Sequence, residues 1–304
     1  MRNYFQLLIF AFVVFFGGSG NLFAQSKFFE VYPNAAERVD SVYSRMTLLN
    51  ELGDEGKLIY AMAAPEVAMY NEFYDMMETG ASEIFYSNFG GEYGNFSLGI
   101  FQMKPSFAEL VEKNYLTVFP KGKYAAQLKY ADTGAVEVRD ARVERLKSEE
   151  WQQIYLICCY NLLDKKYADR IPDLKERISF FAAAYNYGWE SSYAEINKWQ
   201  QKISFPGRGK EPVIAYSELA FLMAEMMLPE EYFRKHNPEP AITAIQNVIK
   251  PEQTVKSDEV KKAGEKIPQA QTEESGNPGI LFLLILFSFG ILGVWVMKRS
   301  IQHQ

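Results

Sequence analysis

Asp173-Leu174-Lys175-Glu176-Arg177-Ile178-Ser179-Phe180-Phe181-Ala182-Ala183-Ala184-Tyr185-Asn186-Tyr187-Gly188 carries the start, the apolar face and the end of one helix in a single run. Asp173 with Glu176 three residues on has the form of a capping box, which satisfies backbone amides that a helix start leaves without partners. The apolar positions recur at three- and four-residue spacing, the period of an α-helix and not of a strand. Gly188 stands where helices commonly stop on a residue that accepts a positive φ. Outward from this run the same spacing predicts helices over 35–52, 56–64, 65–82, 106–115, 151–166 and 211–227. Ser106-Phe107-Ala108-Glu109 repeats the capping-box form at the fourth of these starts. Turn formers concentrate between 87 and 99, in Gly90-Gly91 and Gly94-Asn95, and predict a small hairpin or irregular loop there. The fold class is therefore mostly α, with a short irregular or β insert and no internal repeat.

The two ends of the chain differ from this middle. Met1-Arg2-Asn3-Tyr4 carries a positive charge, 5–16 is apolar, and small residues lead to Ala24, so 1–24 reads as a signal peptide. The apolar run is short for a full span, which sets aside an uncleaved anchor helix. Residues 279–297 contain no charged side chain and are followed at once by Lys298-Arg299. That pattern predicts a transmembrane helix with a short cytoplasmic tail, 298–304. Between, 236–278 is rich in Pro, Glu, Lys, Gln, Ser and Thr and reads as a solvated linker. The expectation is an exported, single-pass membrane protein whose globular domain, 25–235, lies outside the cytoplasmic membrane.

Composition excludes several chemistries. Hydrophobic residues make up 48% and charged residues 23%, as in an ordinary globular protein. A net charge of −6 supplies no basic surplus for a phosphate backbone, so no nucleic-acid partner is expected. The two His, His236 and His303, have no second ligand nearby, which leaves no material for a His-based zinc site or a Ser-His-Asp triad. No metal or cofactor is expected. The two Cys, Cys158 and Cys159, are neighbours in an apolar run and read as small buried hydrophobes. The pairs Met76-Met77 and Met226-Met227 read as core packing, and the charged stretch 137–150 as a solvated face. The glycines of 87–99 lack the Gly-Lys-Ser or Gly-Lys-Thr of a phosphate cradle.

Three segments carry the candidate chemistry in a fixed order. Leu58-Ile59-Tyr60-Ala61-Met62-Ala63-Ala64-Pro65-Glu66 is an apolar helix ending in a carboxylate. Phe96-Ser97-Leu98-Gly99-Ile100-Phe101-Gln102-Met103-Lys104-Pro105 is a loop entering a helix, and Ala184-Tyr185-Asn186 closes the run quoted first. Together they resemble the lytic transglycosylases and goose-type lysozymes, which carry a Glu at a helix end, a Ser-x-Gly-x-x-Gln segment and an Ala-Tyr-Asn segment in that order. The resemblance spans about 58–216, and the third segment is its most specific part. It implies a lysozyme-like domain, peptidoglycan glycan strands as partner, and Glu66 as the acid that protonates the leaving glycosidic oxygen. Burial among apolar residues raises a carboxylic acid's pKa and keeps it protonated for that step. The resemblance further implies that Gln102 and Asn186 hydrogen-bond the sugar, that Tyr185 lines the pocket of the acid and that Ser97 shapes the loop beneath the cleft. The same Glu would then act as base on the muramic C6 hydroxyl, leaving an anhydro end.

The chain departs from the family pattern in two places. Val67 stands where members usually carry Ser after the acid, and 33 positions separate Glu66 from Gly99, more than is usual. Glu78-Thr79 lies nearer to Gly99 and imitates the acid pair, so Glu78 stands as the rival acid. A hydrolytic enzyme needs a second carboxylate, with Asp75 and Glu92 as candidates. A catalytically silent glycan-binding domain is the reading from another class.

Overall fold

The computed structural model describes residues 27–207 and 210–236, and these are mostly helical, as the apolar spacing predicts. The expected signal peptide, transmembrane helix and tail lie outside the described residues, as does the linker from 237 onward. After a helical turn over 27–31, the helices are α1 (Ala35–Tyr43), α2 (Thr47–Asn50), α3 (Asp54–Ala61), α4 (Ala64–Met69), α5 (Glu72–Phe89), α6 (Gly91–Gly94) and α7 (Pro105–Val118). They continue with α8 (Ala135–Lys147), α9 (Glu149–Tyr167), α10 (Leu174–Tyr187), α11 (Tyr193–Gln200), α12 (Tyr216–Met227) and α13 (Glu230–His236). Strands β1 (Ile203–Phe205) and β2 (Ile214–Ala215) form one antiparallel pair, with Ile203 opposite Ala215 and Phe205 opposite Ile214. Among the described residues no helix is long and apolar enough to cross a membrane.

Helix α9 runs through the core. It buries side chains on all sides, from Gln152 through Tyr160 and again at Leu162 and Leu163, which is the pattern of a helix surrounded by others. Cys158 and Cys159 sit there as free, buried thiols. Burial pushes both thiols well above the usual cysteine range, so neither supplies a thiolate near neutral pH. Helices α2, α3, α7 and α8 pack against α9, while α10 and α12 pack along each other, α12 also meeting α3 and α4.

Several sequence expectations are corrected by side chains from distant segments. The helix expected over 35–52 breaks at Ser44–Met46, because Gln153 Oε1 accepts the backbone amides of Leu48 (3.0 Å) and Leu49 (3.3 Å) and starts α2 afresh. The helix expected over 65–82 breaks at Tyr70–Asn71. There Arg38 Nη1 donates to the carbonyls of Ala68 (3.1 Å) and Tyr70 (3.0 Å), and Asn71 Oδ1 accepts the Tyr74 amide (3.2 Å) to cap α5. Between 87 and 99 the chain is helical as far as Phe89 and again in the single turn of α6, and of the hairpin or irregular loop expected there an irregular stretch remains over 95–99, entering a single bridge between Leu98 and Met103. The strand pair lies instead at 203–215, which delays α12 to Tyr216. Glu109 does not close a capping box with Ser106; α7 begins on Pro105 and Glu109 is taken by Tyr86 and Arg142. Asp173 does cap α10, accepting the Glu176 amide at 2.7 Å, and Gly188 ends it with φ 136°. Met76 and Met77 are 62% and 36% exposed on α5 and are not core residues, and Met226 is also exposed.

Most of the acidic and basic side chains of 137–150 are exposed, as expected of a solvated face, and Arg142 is the buried exception. In α8, Arg142, Val143 and Leu146 are buried, and Arg142 reaches a buried carboxylate on α7. Arg142 Nε and Nη2 donate to Glu112 Oε2 at 3.0 and 2.6 Å, while Tyr155 OH (2.6 Å) and Tyr130 OH donate to Glu112 Oε1. Arg142 Nη1 also donates to Glu109 Oε1 (3.1 Å), which accepts Tyr86 OH at 2.6 Å. Burial, with the Glu112 charge second, pushes Tyr130 up to about 12, so its phenol stays a donor at physiological pH. Removing one member of such a cluster strands the others' polar groups in the interior. Glu112→Gln is therefore expected to lower unfolding free energy by about 3 kcal/mol or more. Glu149→Gln, which breaks the exposed Arg45–Glu149 pair, should cost no more than about 1 kcal/mol, both read from denaturant midpoints.

Candidate functional site

The three segments singled out in the sequence meet. Glu66 lies in the first turn of α4, where Pro65 occupies an early position and so loses no helical hydrogen bond. Residues 61–65, Val67 and Ala68 are buried while Glu66 itself is half-buried, so the carboxylate emerges from an apolar surround. Asn186, 120 positions later on α10, donates Nδ2 to Glu66 Oε1 at 3.4 Å. Tyr185 and Tyr216 complete the surround. Burial foremost, and the Glu66 charge second, holds both phenols well above the usual tyrosine range. Each phenol donates its proton to a carbonyl, Tyr185 to Phe101 O at 2.6 Å and Tyr216 to Met62 O at 3.4 Å. Tyr185 thus feels the Glu66 charge and joins α10 to the Ser97–Gln102 loop.

That loop is a closed turn. Leu98 and Met103 exchange backbone hydrogen bonds of 2.9 and 3.0 Å, and the Gln102 amide bonds Gly99 O at 2.9 Å. Gly99 and Gln102 both have positive φ, 68° and 51°. For a glutamine this is a disfavoured conformation, of the kind kept only where surrounding contacts enforce it. Three elements supply those contacts. Asp75 Oδ1 on α5 accepts the Gly99 amide (2.5 Å), Gln152 Oε1 on α9 accepts the Phe101 amide (2.9 Å), and Tyr185 on α10 holds the Phe101 carbonyl. Gln152 Nε2 completes its own pairing on Leu146 O at 2.6 Å. Ser97 is half-buried just before the turn, and Gln102 folds its side-chain amide onto Gly99 O at 2.9 Å.

The other candidate carboxylates differ in their surroundings. Asp75 has both oxygens engaged, Oδ1 by Gly99 and Oδ2 by the Tyr70 hydroxyl at 2.9 Å, and acts as a brace for the loop. Glu92 is exposed on α6. Glu78 sits half-buried in the middle of α5, with Oε2 shut off from solvent. Among the described residues no group of three or more His, Cys, Asp or Glu side chains is arranged to hold a metal. Gln152 and Trp199 carry no signal in the sequence, and Asp75, a candidate second carboxylate there, takes a different part. Gln152 and Asp75 reach the loop from distant helices, and Trp199 on α11 donates Nε1 to Asn186 Oδ1 at 3.0 Å. A glutamine and a tryptophan at helical spacing look like any other helix residues until the helices are packed. No protein-family model, curated protein or solved structure matches the chain.

A β-carbon on Gly99 would lie 1.4 Å from Gln152 Nε2 and 2.9 Å from Leu146 O, in a backbone conformation already unfavourable for an L side chain. Gly99→Ala should therefore destabilise the protein by about 3 kcal/mol. Gly80→Ala, where a β-carbon would meet nothing within 4 Å in the interior of α5, should stabilise by about 0.5–1 kcal/mol. Thermal and denaturant unfolding of the two variants against the parent protein checks both signs.

Proposed function

We propose that the protein is a lytic transglycosylase that cleaves the glycosidic bonds of peptidoglycan strands, with Glu66 acting first as acid and then as base. The observation that carries the reading is the meeting of Glu66 with Asn186, 120 positions away, while the neighbouring Tyr185 bonds the turn that carries Gln102. The Glu66 carboxyl proton passes to the leaving glycosidic oxygen as the bond to the anomeric carbon breaks. The carboxylate then takes the proton of the muramic C6 hydroxyl as that oxygen bonds the anomeric carbon, and the anhydro end results. No external water is consumed, so one carboxylate suffices where a hydrolase uses two.

The engagement of both Asp75 oxygens and the exposure of Glu92 support the one-carboxylate route over hydrolysis. Asn186 and Gln102 offer amide groups for the sugar hydroxyls and N-acetyl group, and Tyr185 shapes the wall beside the acid. Val67, fully buried, stands where the family carries Ser. The apolar segments at the two chain ends support an exported enzyme anchored by a C-terminal membrane helix, with its domain facing the wall.

The test is digestion of purified peptidoglycan by the full chain, with products read by mass spectrometry. Anhydro-muramyl ends are expected, reduced about 10²–10⁴-fold by Glu66→Gln and within a few-fold of the parent for Glu78→Gln. Reducing ends would place the protein among hydrolases, and loss confined to Glu78→Gln would move the acid to α5. Glycan binding without any product would make it a silent binder.

A further inference from the structure

An asparagine amide has a donor end and an acceptor end of the same shape, and its neighbours decide which way it points. Asn186 has two such neighbours here. On one side is Glu66, whose Oε1 lies 3.4 Å from Nδ2; on the other is the Trp199 indole, whose Nε1 lies 3.0 Å from Oδ1. An indole N–H can only donate, so it accepts no partner but the amide oxygen. Its presence turns the amino end of Asn186 toward the carboxyl group.

Trp199 is itself held on several sides. Its ring stacks on Tyr187 with centroids 4.8 Å apart and planes at 29°, and Lys202 Nζ sits 4.3 Å from the ring centroid. Helix α11 is closed at its start by a reciprocal capping box, with Ser192 Oγ accepting the Glu195 amide (3.3 Å) and Glu195 Oε2 accepting the Ser192 amide (2.9 Å). At its far end Ser217 Oγ on α12 donates to Gln200 O. The indole is thus fixed relative to α10 and α12, the two helices that contribute Asn186, Tyr185 and Tyr216 around Glu66.

We propose that Trp199 is a positioning residue for Glu66, acting through Asn186: the indole N–H locks the amide so that its N–H group, and not its oxygen, faces the carboxyl. A donor on that side favours the ionised carboxyl and fixes its rotamer, whereas an amide oxygen there would oppose ionisation. Tyr185 from α10 and Tyr216 from α12 face Glu66, both protonated near neutral pH. The orientation of Asn186 is then one influence on when Glu66 gives up and regains its proton. This inference rests on Glu66 being the acid, and its test is divided so that the two can fail separately.

The experiment compares the full chain with Trp199→Phe, which keeps a ring to stack on Tyr187 and removes the N–H. A second form carries benzothienylalanine at 199, which replaces the N–H by sulfur at nearly unchanged shape. Titration of ¹³C-carboxyl-labelled glutamates, with the Glu66 resonance identified by its loss in Glu66→Gln, reads the site directly. Both forms should raise the Glu66 midpoint by about half a unit or more. On peptidoglycan, kcat should fall about tenfold with KM little changed, and Trp199→Phe should add nothing in an Asn186→Ala background. An unmoved Glu66 midpoint in both forms, or losses that add in the double variant, would overturn the role of Trp199. Absence of glycan products from the parent chain would overturn the enzyme reading while the titration still decides the role of Trp199.

Discussion

At Gly99 the backbone passes so close to α9 that a β-carbon would occupy the place of the Gln152 amide. Because that position has no side chain, Gln152 can bridge Leu146 O and the Phe101 amide in one plane. The bridge sets the turn from Leu98 to Met103, and the turn in turn presents Phe101 O to the Tyr185 hydroxyl. Tyr185 is the residue before Asn186, so the position of Asn186 against Glu66 descends from the same close approach. The strained φ of Gln102 is held by this arrangement and has no local cause.

Two carboxylates illustrate what burial does in this protein. Glu112 is surrounded by donors, with Arg142 on one oxygen and the Tyr130 and Tyr155 hydroxyls on the other, and it ties α7, α8 and α9 together. Glu66 faces phenols whose protons are committed to carbonyls and an amide whose orientation is set from outside. The first environment compensates a charge fully and gives it a structural role. The second sets the carboxyl among apolar residues and beside one oriented amide.

The helices legible in the sequence are those whose buried face is apolar at helical spacing, such as α9 and α10. Where the buried face is ionic, as in α8 with Arg142 turned inward, hydropathy reads a solvated stretch. Helix breaks were legible only where a local residue makes them, as at Gly188. The break at Ser44–Met46 depends on Gln153, more than 100 positions away, and that at Tyr70–Asn71 joins the local cap Asn71 to Arg38, 30 and 32 positions from the carbonyls it binds. The exposed methionines of α5 show the converse: apolar residues at helical spacing need not face a core.

By itself the sequence determined that the described part would be mostly helical, because periodicity, caps and turn residues are written along the chain. The tertiary structure decided which side chains touch: that Asn186 meets Glu66, that Asp75 braces a loop, and that Gln152 and Trp199 orient groups they are far from in sequence. Hydrogen bonds and close packing act over a few ångströms in space, and only the folded arrangement of α4, α9, α10 and α11 brings those distances into being.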